Sequence, residues 1–154
     1  MSLGLYLHIP YCFSKCRYCD FYSAPSQRGV PRAYVDALLR ELSRFAPDAP
    51  LRPDTLYFGG GTPSLLDPAD AARLIAAAQP LPGAEITLEA NPETVTEDSL
   101  RAFREAGVNR ISFGVQSARD SQLKTLGRPH TAKQARAAFA AARRAGFENI
   151  SGDI

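Results

Sequence analysis

A chain of 154 residues with 45% hydrophobic residues is long enough to bury the core of one globular domain. Its 18 basic and 16 acidic residues are spread along the chain, which excludes the clustered Lys/Arg surface typical of nucleic-acid binding. No apolar run approaches the roughly 18 residues of a membrane span, and three cysteines crowded between positions 12 and 19 make a poor disulfide framework. We therefore expect a soluble, cytoplasmic protein.

The first predicted unit is a strand, a loop and a helix. Apolar and polar residues alternate over residues 3–9, which is the period of a half-buried strand, and Pro10 ends it. The segment with the cysteines follows directly. Apolar residues then recur at helical spacing over residues 31–45, and the proline-rich stretch 46–53 ends that helix.

The same order repeats along the rest of the chain. Further strands are predicted at residues 55–58, 85–90, 110–115 and 149–154, and further helices at residues 68–78, 97–106, 121–126 and 132–145. Asp67 and Thr96 are the predicted helix caps, and Gly107 and Gly146 the predicted stops. Alternating strands and helices predict a parallel sheet, either doubly wound or a barrel. The last strand has no helix to cover it, so we expect a fragment of a longer protein.

The cysteines form the motif C-x3-C-x2-C at Cys12, Cys16 and Cys19, on a loop after a strand. Three thiolates at this spacing can hold an iron–sulfur cube and leave one iron without a protein ligand. Two alternatives remain open. One is a structural zinc site with His8 or a distant residue as the fourth ligand, and the other is three free cysteines.

Other candidate residues lie at or just after the carboxyl ends of the predicted strands. They are the run Gly-Gly-Gly-Thr-Pro at 59–63, Glu89, Gln116 and Asp153. Ligands of parallel α/β folds bind at the carboxyl ends of the strands, so we expect these residues to converge on one site. Taken singly, a glycine run is often only a tight turn and a carboxylate only a cap or a surface ion pair.

Several segments together resemble one protein family. They are residues 4–12, residues 19–21, the segment 56–64 with Phe-Gly-Gly-Gly-Thr-Pro, Leu-Glu-Ala-Asn-Pro at 88–92, Ser-Phe-Gly-Val-Gln-Ser at 112–117, Leu-Gly-Arg at 126–128 and Ser-Gly-Asp-Ile at 151–154. The chain resembles radical S-adenosylmethionine (SAM) proteins, in the branch of oxygen-independent coproporphyrinogen III dehydrogenases and HemW-type heme chaperones. The resemblance spans nearly the whole chain and keeps the motif order.

The resemblance implies a parallel (βα) partial barrel of radical SAM type, with residues 1–154 as the N-terminal part of the core domain, truncated after the fifth strand. It implies a [4Fe–4S] cluster on Cys12, Cys16 and Cys19, whose open iron binds SAM. It assigns the SAM pocket to Tyr6, Gly60, Gly61, Thr62, Glu89, Gln116, Arg128 and Asp153. Tyr18 matches an aromatic position near the cluster and adenine. The implied chemistry is reductive cleavage of SAM to methionine and a 5′-deoxyadenosyl radical.

Within this branch we expect a heme chaperone, which binds and transfers heme. The alternative is the dehydrogenase, which decarboxylates coproporphyrinogen III; it carries a further cysteine two residues after the third and an N-terminal extension. Here position 21 is Phe21, and eleven residues precede Cys12. A non-catalytic zinc module is a second alternative. The implied partners are heme or porphyrin, an electron-donor protein and a heme acceptor. We expect His8 to be a packed, hydrogen-bonded residue and His130 a turn residue.

Overall fold

A computed structural model describes residues 2–45 and 50–154. The strands are β1 (Gly4–Ile9), β2 (Tyr11–Cys12), β3 (Ala24–Pro25), β4 (Thr55–Gly60), β5 (Glu85–Ala90), β6 (Arg110–Gly114) and β7 (Asn149–Asp153). The helices are α1 (Arg32–Phe45), α2 (Pro68–Ala78), α3 (Glu97–Glu105), α4 (Asp120–Leu126) and α5 (Ala132–Arg144), with short 3-10 helices at Pro63–Leu65 and Pro92–Thr94. In this part of the chain no helix is long and apolar enough to cross a membrane.

Five of the strands form one parallel sheet in the order β1-β4-β5-β6-β7. The order follows the chain without a reversal, whereas a doubly wound sheet reverses its order at a switch point. Of the two architectures that the sequence allowed, a doubly wound sheet and a barrel, the strand order matches the barrel. All five carboxyl ends lie at the same edge.

The two faces of this sheet differ in chemistry. One face carries apolar side chains that pack with residues of α1, α2, α3 and α5 in a single buried core; they are Leu7, Ile9, Leu56, Phe58, Ile86, Leu88, Ile111 and Phe113. The pairing register aligns polar and aromatic residues on the other face: Tyr6, Tyr57, Thr87, Arg110, Glu89, Ser112 and Ser151. A face of this kind lines a ligand space instead of a dry core.

The predicted elements are confirmed, and their ends differ by at most two residues. Asp67 caps α2 by accepting a hydrogen bond from a backbone amide, and Thr96 caps α3 in the same way. Strand β4 is longer than predicted, because Gly59 and Gly60 continue the pairing with β1. Of the proline-rich stretch 46–53, residues 46–49 lie outside the described residues.

The cysteine segment contains a pairing that the sequence did not predict. Strands β2 and β3 form a two-stranded parallel sheet that closes the base of the loop. The amide of Ala24 donates to the carbonyl of Pro10 at 2.8 Å, and the amide of Ser26 donates to the carbonyl of Cys12 at 2.7 Å. Two-residue strands give too short an alternation to be recognised in a sequence.

Candidate functional site

One pocket lies at the carboxyl edge of the sheet. The residues assigned to the cluster and to SAM line it, with the exception of Tyr6; they are Cys12, Cys16, Cys19, Gly60, Gly61, Thr62, Glu89, Gln116, Arg128 and Asp153. Tyr18 and Phe21 line it as well. The structure therefore brings together residues that are up to 141 positions apart in the sequence (Cys12 and Asp153).

Tyr6 lies on the polar face, two residues further from the carboxyl ends of the strands than the level of the pocket. Its ring stacks on Tyr57 with the ring centroids 5.9 Å apart, and its hydroxyl lies 3.4 Å from Nδ1 of His8. The structure thus places Tyr6 in the wall of the polar face and not among the lining residues. A period-2 strand pattern fixes the face of a residue but not its height along the strand.

The three cysteine side chains lie on the loop closed by β2 and β3, and each is partly exposed. Partial burial raises the pKa of the Cys16 thiol, and the Arg128 guanidinium opposes that rise. Among residues 2–45 and 50–154, no three His, Cys, Asp or Glu side chains lie close enough together to hold a metal ion. A zinc ion needs all its ligands within about 2.0–2.3 Å of one centre, whereas a cube binds each thiolate at a separate iron. Three thiols suit a cluster that leaves one iron without a protein ligand, whereas a structural zinc site is closed by four ligands.

His8 is hydrogen-bonded, as expected from the sequence. Its Nε2 lies 3.0 Å from the carbonyl oxygen of Tyr22, in the cysteine loop. Because a carbonyl oxygen only accepts, Nε2 carries the hydrogen and donates. The ring thereby ties the cysteine loop to β1.

The glycine loop packs directly against the cysteine loop. A Cβ atom on Gly61 would lie 2.7 Å from the carbonyl oxygen of Tyr11 and 3.0 Å from Sγ of Cys12. The amide of Gly61 donates to the carbonyl of Ile9, and the amide of Thr62 donates to the carbonyl of Tyr11. Since these amides are already used, contacts of this loop with a ligand run through carbonyl oxygens and the Thr62 side chain. Such acceptors suit a donor such as an ammonium group.

Glu89 is held in place by two donors. The Tyr57 hydroxyl donates to Oε1 at 2.8 Å, and the amide of Gly60 donates to Oε2 at 3.1 Å. Burial, followed by this hydrogen bond, raises the pKa of Tyr57 well above its ordinary value, so the hydroxyl stays a donor at neutral pH. A carboxylate offers about four acceptor sites, which leaves capacity for ligand hydroxyls.

Arg128 brings a partly buried cation to the pocket. Its Nη1 donates to Oδ1 of Asn91 at 3.0 Å, and its Cζ lies 5.9 Å from the centroid of the Tyr18 ring. Its Nε is the one fully buried side-chain polar atom in the described ranges that has no hydrogen-bond partner. An unpaired buried donor costs about 1–3 kcal/mol, more when charged, and calls for an explanation such as a ligand acceptor. A ligand carboxylate meets this requirement.

Gln116 adopts an unusual backbone conformation at the pocket. Its φ is +67°, in the left-handed region that residues with a side chain rarely occupy. Its amide donates to the carbonyl of Asp153 at 2.7 Å, and this bond joins the ends of β6 and β7. Backbone strain of this kind clusters at ligand sites.

Sequence reasoning missed four residues that support the pocket: Tyr57, Asn91, Glu93 and His130. His130 lies in the irregular segment between α4 and α5, in line with the expected turn position, and it is buried with 2% exposure. Its ring bonds Glu93 and the carbonyl of Val115. The alternation of β4 places Tyr57 on the polar face, but no local pattern pairs residues 37 positions apart, as Glu93 and His130 are.

A family model described as the Radical SAM superfamily matches residues 6–154. The heme chaperone HemW of Escherichia coli (strain K12) is 44% identical, over 99% of this chain and 42% of its own length. The mitochondrial radical S-adenosyl methionine domain-containing protein 1 of Bos taurus is 39% identical, over 98% of this chain and 35% of its own. The solved structure of the radical SAM enzyme coproporphyrinogen III oxidase (HemN) from Escherichia coli superposes with a TM-score of 0.85 and 30% identity, over 99% of this chain and 36% of that one.

This chain therefore spans between 35% and 42% of the length of these three relatives. The family match covers nearly all of its residues, the sheet order is that of a partial barrel, and the family motifs lie around one pocket. The chain belongs to the radical SAM superfamily.

Proposed function

We propose that this chain holds a [4Fe–4S] cluster on Cys12, Cys16 and Cys19, binds SAM beside it, and forms the N-terminal part of the radical SAM core of a heme chaperone. The observation that carries the cofactor part is a single pocket lined by three thiols and by a guanidinium whose buried Nε–H has no hydrogen-bond partner. The superfamily uses this cluster and SAM, which together supply reductive cleavage of a carbon–sulfur bond.

Each charged end of SAM has a matching group in the pocket. Arg128 offers a partly buried guanidinium to a carboxylate, and the glycine loop offers carbonyl oxygens to an ammonium. Glu89, fixed by Tyr57, and Asp153 present carboxylates to ribose hydroxyls. Gln116 and Tyr18 complete the wall, and Tyr6 acts two residues further from the carboxyl ends by stacking on Tyr57. The residues of this chain thus bind and orient the cofactor, which carries the chemistry itself.

The ligand set is tested by anaerobic reconstitution followed by iron and sulfide analysis. We expect one cluster per chain in the unaltered protein and none after replacement of Cys12, Cys16 or Cys19 by Ala. Ser14→Ala is the matched control, because Ser14 lies in the same loop and lines the same pocket. Stoichiometric zinc without iron, or a full cluster in any of the three cysteine variants, would contradict the assignment.

The heme-chaperone assignment is supported by relatives of that name in Escherichia coli, Haemophilus influenzae and Bacillus subtilis, which are 44%, 38% and 37% identical. A second candidate is coproporphyrinogen III oxidation, because HemN superposes over 99% of this chain. The motif position that holds a cysteine in the dehydrogenase is Phe21 here, and its side chain is 64% exposed and lines the pocket. This difference favours the chaperone.

The full-length protein decides between these functions. We expect it to bind heme and to form no protoporphyrinogen IX from coproporphyrinogen III when SAM, a reductant and an intact cluster are present. Catalytic product formation would establish the oxidase instead. The proposed partners are heme, an electron-donor protein and a heme acceptor, and the proposed location is the cytoplasm, where thiols stay reduced.

A further inference from the structure

His130 lies in the segment between α4 and α5 and carries two hydrogen bonds. Its Nε2 is 3.0 Å from the carbonyl oxygen of Val115, and its Nδ1 is 3.0 Å from Oε2 of Glu93. The His130 side chain is fully buried, and that of Glu93 is 18% exposed. Since the carbonyl only accepts, Nε2 donates to it, and Nδ1 shares one proton with the Glu93 carboxylate. A buried pair of this kind needs a reason, because desolvating it is costly.

The pair lies beside the contact between Asn91 and Arg128, which explains why it is buried. Glu93 lies in the 3-10 helix that follows β5, two residues after Asn91, and His130 lies two residues after Arg128. Asn91 accepts from Arg128, and Glu93 bonds to His130, so two parallel contacts join the same two segments. The intervening residue, Pro129, has a restricted backbone. Holding His130 therefore restricts where the Arg128 side chain can point.

The other end of this short segment is fixed as well. The amide of Arg128 donates to the carbonyl of Leu123 at 2.9 Å, at the end of α4. On the far side, Asn91 donates from Nδ2 to Oγ1 of Thr62 at 3.1 Å, which extends the same hydrogen-bond network to the glycine loop. Arg128 is therefore held both through its backbone, by α4, and through its side chain, by Asn91, which is itself bonded to Thr62.

We propose that Glu93 and His130 form a positioning pair that aims the Arg128 guanidinium at the carboxylate of bound SAM. This inference rests on the proposed function of the pocket. Without the pair, segment 128–130 keeps its contact with α4 and the bond from Arg128 to Asn91, but it loses the buried contact of His130 with Glu93. The guanidinium then samples other directions, and SAM affinity is expected to fall about tenfold, the effect of losing one good hydrogen bond.

The test is SAM affinity of the cluster-loaded protein, measured by equilibrium titration, in two Glu93 variants. Glu93→Ala removes the contact, and Glu93→Gln keeps a hydrogen-bonding group of the same shape without the charge. We expect about tenfold weaker binding in the first and less than about threefold in the second, because the Gln side-chain amide N–H can donate to Nδ1 of the neutral ring. Asn109→Ala is the matched control. The Asn109 side chain makes two hydrogen bonds to backbone groups, and it lies at the amino end of the strands, away from the pocket. This substitution is expected to lower thermal stability and leave SAM affinity unchanged.

A double-mutant cycle with Arg128→Ala separates positioning from general damage. If the pair acts through Arg128, then Glu93→Ala has no further effect on SAM affinity in the Arg128→Ala background. An equal loss in both backgrounds, an unchanged affinity in Glu93→Ala, or a loss in Glu93→Gln as large as that in Glu93→Ala would each overturn the proposal. Failure of the unaltered, cluster-loaded protein to bind SAM would instead overturn the proposed function of the pocket.

Discussion

Replacing Gly114 by Ala should displace Arg128 without touching the cysteines. A Cβ atom at this position would lie 2.6 Å from Nη2 of Arg128 and 2.9 Å from Oδ1 of Asn91. Ordinary contacts begin at 3.4 Å, so the guanidinium has to move by about 0.8 Å, the difference between 3.4 and 2.6 Å. The same Cβ atom also displaces Oδ1 of Asn91, so the bond that Nη1 of Arg128 donates to it, now 3.0 Å, is expected to weaken.

The expected loss follows from the chemistry of the displaced group. A hydrogen bond to a charged group contributes about 1.5–3 kcal/mol, which corresponds to roughly ten- to hundredfold in SAM affinity. The assay is SAM titration of the cluster-loaded variant, with iron content measured on the same sample. Gly4→Ala is the control, because Gly4 also lies in a strand of the sheet and its Cβ would meet only Oγ1 of Thr55, at 3.2 Å. Unchanged SAM affinity in Gly114→Ala with a full cluster would refute the placement of Arg128 in the SAM site.

Three further substitutions test separate parts of the account. Tyr57→Phe keeps the ring but removes the donor to Glu89, and it should weaken SAM binding about fivefold in the same titration, as expected for about 1 kcal/mol. Asp67→Ala removes the cap of α2 and should lower the unfolding free energy by about 1 kcal/mol in a denaturant titration, with SAM affinity unchanged. A hydrogen bond from Arg144 holds the pKa of Glu97 below its ordinary value of 4.5. The stability that this pair contributes is therefore present above pH 4.5 and is lost as the pH falls. We expect Glu97→Gln to lower the melting temperature at pH 7 but not in strong acid.

The sequence predicts the fold well because its signals are local. Alternation marks β1, β4 and β5, and Asp67 and Thr96 mark the helix starts by capping chemistry that needs only the neighbouring residues. The rule that ligands bind at the carboxyl ends of parallel strands then brings the candidate residues together. The choice between a barrel and a doubly wound sheet depends on strand order, which no local signal contains.

The supporting residues of the pocket could not be predicted for the same reason. The contacts of Tyr57 with Glu89 and of Glu93 with His130 join residues 32 and 37 positions apart. Their spacing follows no helix or strand period, so a single sequence carries no trace of them. The position of Tyr6 below the pocket likewise depends on how far β1 extends toward the pocket edge.

The central claim is that SAM binds at the open iron of a cluster held by Cys12, Cys16 and Cys19. The direct measurement is the electron paramagnetic resonance spectrum of the reduced, cluster-loaded protein before and after addition of SAM. We predict a spectrum that changes on SAM addition in the unaltered protein, and that changes only at higher SAM concentration in Arg128→Ala. A normal reduced-cluster spectrum that saturating SAM leaves unaltered would contradict the account.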